Sequence, residues 1–281
     1  MSLLSFLLLL LSAAFHAIWN LLLKRSQEKQ IASWWMVMLG GILSFPLLIW
    51  QGGPPWGVTG LLLLSILLEC FYFLLLSYAY TLSDFSLVYP LARGAAPLLL
   101  TLWAWLGLGE RPTLWGWAGL ILLLSGLLLL SDVRHFAWGD QRRGILAALG
   151  VALLISLYTL VDGVAVRKVS PLPYALSIFA FLPLSLAPFA WKWYGWEKLY
   201  QEWKAQPWQL LLSALLGTFS YFLALLAYRL APLAYAGAVR EVSVVFAAWL
   251  GWKNLGEAQG KQRILAATLI FLGIFLIGAW G

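Results

Sequence analysis

Charge is scarce in this sequence: Asp, Glu, Lys and Arg make up 10% of its 281 residues, where a soluble chain carries roughly 25%. So little charge cannot cover the surface of a water-soluble sphere, whereas lipid solvates an apolar exterior. Cysteine is almost absent. Cys70 stands alone, which excludes an intrachain disulfide and a cysteine metal cluster. The two histidines, His16 and His135, argue against bis-histidine haem. No Gly-x-x-x-x-Gly-Lys-Ser/Thr loop, His-Glu-x-x-His site, Asp-rich metal motif or Gly-x-Ser-x-Gly elbow occurs, so nothing points to ATP hydrolysis, a metal or a serine nucleophile. No cofactor is expected.

What the chain has is apolar length. It is 63% hydrophobic with a mean hydropathy of +0.87. A bilayer core takes about 20 apolar residues per helix, so ten spans use roughly 200 residues and leave short loops. Runs broken by polar or Gly/Pro punctuation place spans at 3–23, 31–50, 58–81, 85–106, 112–131, 143–166, 172–193, 208–229, 234–252 and 262–280. The run from Leu3 to Leu11 lacks a basic lead-in and continues through Leu23, so it reads as the first span and not as a cleaved signal. Only helices or closed barrels satisfy the backbone in lipid, and runs without strict alternation select helices. Many of the 18 Trp lie near span ends, among them Trp50, Trp56, Trp138, Trp191, Trp193 and Trp252, as an aromatic belt requires. The segment from Trp196 to Trp208 alternates aromatic and charged residues at helical spacing and reads as a short interfacial helix between spans.

The sequence repeats itself. A shift of 142 lays His16, Asn20 and Arg25 on Tyr158, Asp162 and Arg167. A shift of 147 lays Arg93 on Arg240, Gly109-Glu110 on Gly256-Glu257, and Gly126 on Gly273. Ala79-Tyr80 falls on Ala227-Tyr228 at a shift of 148. These pairings keep chain order and divide the protein into a five-helix unit at 1–131, a connecting loop at 132–142 and a second unit at 143–281. An odd number of spans per unit forces the second copy to cross in the opposite sense. The expected fold is therefore all-α integral membrane, with ten transmembrane helices as two inverted five-helix repeats. That design places binding near the midplane and gives two related states open to opposite sides.

Four further marks stand in the two five-span halves: Phe-His-Ala-Ile-Trp-Asn-Leu-Leu-Leu-Lys-Arg at 15–25, Tyr-Pro-Leu-Ala-Arg-Gly at 89–94, Tyr-Thr-Leu-Val-Asp-Gly at 158–163 and the two Gly-Glu ends. With these the chain resembles the EamA family of the drug/metabolite transporter superfamily. The likeness covers essentially the whole chain. The second half departs from it, with Ala236-Gly237 where Tyr89-Pro90 stands and Glu241 where Gly94 stands. The resemblance implies a multi-pass carrier with a central cavity, usually exporting amino acids, other metabolites or drugs, and cytoplasmic termini. The expected location is the bacterial inner (plasma) membrane.

Ionisable groups inside spans are costly and tend to be paired or functional. His16, Glu69, Arg93, Asp162, Arg240 and Glu241 are the candidates. Topology puts His16, Asn20 and Arg93 in one half of the bilayer and Tyr158, Asp162, Arg240 and Glu241 in the other, as two unlike gates. Asp162 is expected to pair with Arg240, leaving Glu241 as a proton carrier or an interfacial acid. Arg93, with Glu69 as its candidate partner, either takes the anionic end of a solute or closes a gate. His16 is a candidate for proton coupling or a packing residue. Trp19, Tyr72, Tyr80, Tyr89, Tyr158 and Tyr221 are candidate cavity aromatics. Pro90 and Pro97, flanking Arg93, with Gly237 in the second half, are candidate points of helix flexibility or static kinks. Gly116, Gly119, Gly126, Gly273 and Gly278 allow close helix packing, in spans that the resemblance associates with dimer contacts.

A secondary transporter of a small organic solute, an amino acid, related zwitterion or organic anion, is the leading reading. A lipid-linked-substrate flippase, an intramembrane transferase and a non-catalytic channel subunit are the alternatives. The expected partners are a small solute and membrane lipid, with the chain a monomer or homodimer. The net charge of +7 comes from basic residues in short loops, so no nucleic acid is expected. The connections after spans 1, 5, 7 and 9 hold twelve basic residues and the opposite side four. The positive-inside rule thus places the termini outside the cytoplasm, against the family resemblance. A reporter active only in the cytoplasm, fused to Gly281, decides between the two.

Overall fold

The computed structural model describes residues 1–82, 85–130, 142–243, 245–246 and 261–280. Ten α-helices occur among them: α1 (Leu3–Lys24), α2 (Lys29–Trp50), α3 (Thr59–Leu82), α4 (Phe85–Leu108), α5 (Leu114–Leu130), α6 (Arg142–Lys168), α7 (Pro171–Ala205), α8 (Pro207–Leu230), α9 (Leu233–Arg240) and α10 (Lys261–Trp280). Seven of them are long and apolar enough to cross a membrane, and α5 and α10 hold shorter apolar stretches. The 132–141 part of the connecting loop, Gly256-Glu257 and the stretch of span 9 from 247 to Trp252 lie outside the described residues.

Local chemistry sets the boundaries. The Ser2 hydroxyl accepts the Ser5 N–H at 3.2 Å and opens α1, relieving one of the unpaired amides of a helix start. Pro171 and Pro207 stand in the first turns of α7 and α8, where a missing N–H costs nothing. Gly109, at φ 69°, ends α4, and the next N–H, on Glu110, turns back to the Ala104 carbonyl at 3.1 Å. A side chain at that φ would be strained.

Gly195, at φ 72°, kinks α7 between its membrane stretch and the segment read as a short interfacial helix. That segment is helical and docks on α2. Trp35 donates its indole N–H to the Leu199 carbonyl at 2.8 Å, and the Trp35 and Trp203 rings are 5.3 Å apart. Leu199 is buried while Trp196 and Tyr200 stay exposed, so only one face of the segment is left for lipid.

The packing obeys the inverted repeat. If α1 to α5 exchange with α6 to α10, the main pairs between the halves map onto one another: α1·α8 onto α3·α6, α4·α6 onto α1·α9, and α2·α7 and α5·α10 onto themselves. All of these pairs are in contact. The core helices of the two halves therefore interlock rather than forming two separate bundles. Between α1 and α8 the hold is polar and reciprocal: the Ser12 hydroxyl donates to the Ser220 carbonyl at 2.6 Å, and Ser220 donates to the Ser12 carbonyl at 2.8 Å. Hydroxyls that bond across helices are a usual adhesive in lipid, where apolar contact alone gives no preference for protein over tails.

The α5·α10 seam rests on glycine. A Cβ on Gly119 would stand 2.6 Å from the Gly273 carbonyl oxygen, and one on Gly273 would stand 2.5 Å from the Gly119 oxygen. Two backbones meet there, inside one chain. Gly237 serves packing too: a Cβ would meet Leu100 Cδ2 at 2.4 Å, so the expected flexible point is a place where α4 presses on α9. Gly119→Ala and Gly273→Ala are each expected to cost about 1–3 kcal/mol by overpacking. Gly107→Ala, with nothing within 4 Å of its Cβ, is the neutral control. Thermal unfolding in detergent reads the contrast.

Candidate functional site

The interior is polar where the exterior is apolar. Glu69 (7%), Arg93 (6%), Asp162 (0%), Arg240 (7%) and Glu241 (3%) are all buried, and they come from both halves. The depth argument separates Arg93 from Glu241, yet Arg93 Nε lies 2.9 Å from Glu241 Oε2. Arg93 sits eight residues from one end of α4, and Glu241 caps α9 eight residues from the opposite membrane face. At about 1.5 Å of rise per residue, their backbones flank the midplane, and long side chains close the remaining gap. The two expected gates are thus one cluster.

Three expected pairings change as a result. Glu241 is not a spare acid, because it holds Arg93. Glu69 bonds to Tyr221 (2.8 Å) instead of serving as the partner of Arg93. Asp162 does not pair with Arg240. Its Oδ1 accepts the hydroxyls of Ser65 (2.5 Å) and Tyr174 (2.9 Å), and its Oδ2 accepts or shares that of Tyr221 (2.7 Å). A carboxylate ringed by three hydroxyls is solvated without an ion partner.

Arg240 ends α9. The Glu241 N–H closes the last turn on the Ala238 carbonyl at 3.1 Å, and the helix C-terminus favours a cation beside it. Nη1 donates to the Tyr228 hydroxyl at 3.0 Å. The buried Nε has no hydrogen-bond partner among the described residues. Arg240 is close enough to act electrostatically on both Glu69 and Asp162. A guanidinium whose Nε has no partner among the described residues, two acids and a hydroxyl network therefore lie in the same buried interior.

The remaining candidates fall around this cluster or apart from it. Tyr72 and Tyr158 stack edge to face at 5.8 Å, and Tyr158 lies near Arg240 and Arg93. His16 also feels both arginines, and its ring meets Trp19 edge-on at 4.7 Å. Asn20 turns back on its own helix, donating to the His16 carbonyl at 2.7 Å. Tyr80 packs with Val88, Ala147 and Ala148. α4 runs on as helix through Pro97, whose carbonyl takes the Thr101 hydroxyl at 2.8 Å. The side chains of Tyr89 and Pro90 lie outside what is described.

Sequence reasoning missed Ser65, Tyr174, Tyr228 and Ser243 as parts of the network. Ser65 is one turn before Glu69 and was in principle readable; Tyr174 gave no signal. It also missed a fastening on the membrane face that carries both termini. There Arg167 Nη2 donates to Glu110 Oε1 at 2.6 Å and to the Ala231 carbonyl at 3.2 Å. The other Glu110 oxygen takes the Ala234 N–H at 3.2 Å. The Thr113 N–H donates to the Tyr235 hydroxyl at 2.8 Å. All but the Arg167–Ala231 contact tie one half to the other.

Comparison with known proteins agrees with this architecture. The family model described as the EamA-like transporter family matches twice, at residues 3–132 and 142–279. A crystal structure of another protein superposes with a TM-score of 0.75 at 18% identity, covering 99% of this chain and 98% of the other. That likeness concerns the fold alone. No curated protein matches the sequence.

Proposed function

We propose, from the premise that this chain belongs to the EamA-like transporter family, that it is a secondary active exporter of a small organic metabolite. The substrate class is an amino acid, a related zwitterion or an organic anion, moved by alternating access in a bacterial inner membrane. The observation that carries the reading is Arg240: a buried guanidinium, contributed by the second half, whose Nε has no hydrogen-bond partner among the described residues, near the Glu69 and Asp162 carboxyls. Its planar fork suits a carboxylate, and the acids suit an ammonium. This transfers to Arg240 the anion-holding role that the sequence alone gives to Arg93.

A flux panel in proteoliposomes tests it, with amino acids, organic anions, polyamines and organic cations offered separately. Movement of amino acids or organic anions is expected. Movement of cations alone would contradict the role of Arg240.

The Glu110–Arg167 fastening gives a second test. Arg167 is about a third exposed, so the pair contributes about 1 kcal/mol or less. Glu110→Gln is therefore expected to raise access to the cluster from the terminal face by up to about fivefold, read by thiol labelling at an introduced Ser243→Cys. Unchanged labelling would remove this pair from the gating of that face.

A further inference from the structure

The Tyr221 hydroxyl lies 2.8 Å from Glu69 Oε1 and 2.7 Å from Asp162 Oδ2. It owns one hydrogen and can donate it to one of the two oxygens only. The other contact is a hydrogen bond only if the carboxyl donates to the phenol oxygen, and so carries a proton itself. Asp162 already accepts from Ser65 and Tyr174, which suits an ion. Tyr221 is the one hydrogen-bond partner described for Glu69, and an ionised carboxylate with a single bond is the costlier species in a buried site. The proton belongs on Glu69.

The inverted repeat supplies an independent control. At the shift of 148 that matches Ala79-Tyr80 to Ala227-Tyr228, Ser65 falls on Ser213 and Glu69 on Gly217; Asp162 matches Asn20. The α1·α8 contact is thus the counterpart of α3·α6, and its helices carry glycine and asparagine where those of α3·α6 carry two acids. There Gly217 faces Met36 of α2, whose Sδ a Cβ would meet at 3.2 Å, closer than ordinary van der Waals contact. The counterpart place packs without acids, so the two carboxyls are a chemical feature of α3·α6 alone and not of the repeat.

We propose that Glu69, Tyr221 and Asp162 form the proton-binding site of this protein. Glu69 holds the proton and passes it along the bridge: Glu69 O–H to the phenol oxygen, and the phenol hydrogen to Asp162 Oδ2. The transfer leaves Glu69 as carboxylate, Tyr221 unchanged and Asp162 as acid, so charge is conserved while the proton moves from α3 to α6. As the coupling proton of a transporter, it rests on the function proposed above; as a bound proton, it does not.

The groups facing the site set its response to pH. Tyr174 of α7 meets Asp162 at 2.9 Å, and Arg240 of α9 stands near both carboxyls. Tyr158 of α6 faces Glu69 and Arg240, and Tyr72 of α3 stacks behind Tyr158. Tyr228 of α8 is spent on Arg240. From α4, Arg93 is matched by Glu241, and from α1, His16 faces the arginines.

Infrared difference spectra of the purified full chain in lipid nanodiscs, between acid and alkaline buffer, test the site without a substrate. A protonated-carboxyl carbonyl band that disappears in alkali is expected. It should be lost entirely in Glu69→Gln, whose amide keeps the shape of the neutral acid, and retained in Glu241→Gln. In Tyr221→Phe the band should persist and move to higher frequency, because the acid O–H loses its acceptor; this variant serves if Glu69→Gln fails to fold. A band that survives Glu69→Gln, no titrating band in the native chain, or loss of the band on adding sodium at fixed pH would each overturn the assignment. A chain that binds this proton yet moves no solute would sink the transporter reading and leave the proton site standing.

Discussion

Arg240→Gln is expected to lower solute flux by ~100-fold or more, with the protein still inserted in the membrane. Glutamine stays polar and keeps an N–H donor at the level of Nε, short of the Nη1 that meets Tyr228 at 3.0 Å. It removes the charge and the forked geometry that a carboxylate needs. Losing one partner of a buried, hydrogen-bonded charge pair costs on the order of 2–5 kcal/mol, which is the basis of the factor. Part of the loss comes from the acids: Asp162 and Glu69 lose the cation that acts on both. Asp162 retains three hydroxyl neighbours, so the bundle has a way to tolerate the change. Flux in proteoliposomes, normalised to protein recovered in the monodisperse peak, is the measurement. Wild-type flux in Arg240→Gln would end the anion-binding role.

Arg93→Met should act on stability instead. It leaves Glu241, 3% exposed, without the guanidinium 2.9 Å away. Breaking a buried pair from one side costs about 3–5 kcal/mol, whereas replacing both partners by apolar residues is often close to neutral. The double variant Arg93→Met/Glu241→Leu is therefore expected to unfold within about 1 kcal/mol of the native chain, and Arg93→Met alone well below it. Thermal unfolding across the four members of this cycle reads the coupling. Additive losses would show that the two residues act separately. The pair joins α4 of the first half to the end of α9 in the second, so its loss should also weaken the hold between the halves.

These two arginines show where sequence reading succeeds and where it stops. Ten apolar runs, their punctuation and the offsets of 142, 147 and 148 are properties of one-dimensional order. The helices and their symmetric packing follow from them, down to α1·α8 mirroring α3·α6. Which side chains meet across the centre is another matter. It depends on helix rotation and on the reach of Arg and Glu, neither of which a shift of register reports. Asp162 and Arg240 share a depth by count, yet Asp162 is turned toward Ser65 on α3 and Tyr174 on α7. Arg93 and Glu241 start at different depths and close the distance with their side chains. Glu110 and Arg167 stood out as repeat markers, and their contact at 2.6 Å gives both a structural reason to be there. The hydroxyls were the least legible, since Ser and Tyr are ordinary in such helices until a carboxylate is found beside them.

Ser243, buried and 3.5 Å from Arg93 Nη2, is the place to test whether this cluster is reached from both sides of the membrane. With Cys70, the one native thiol, replaced by alanine, a Ser243→Cys chain in oriented vesicles can be treated with a membrane-impermeant thiol reagent from each face in turn. Alternating access predicts labelling from either face, with the two rates shifting in opposite directions when Glu110→Gln loosens the terminal side. Labelling from one face only, or from neither, would contradict it.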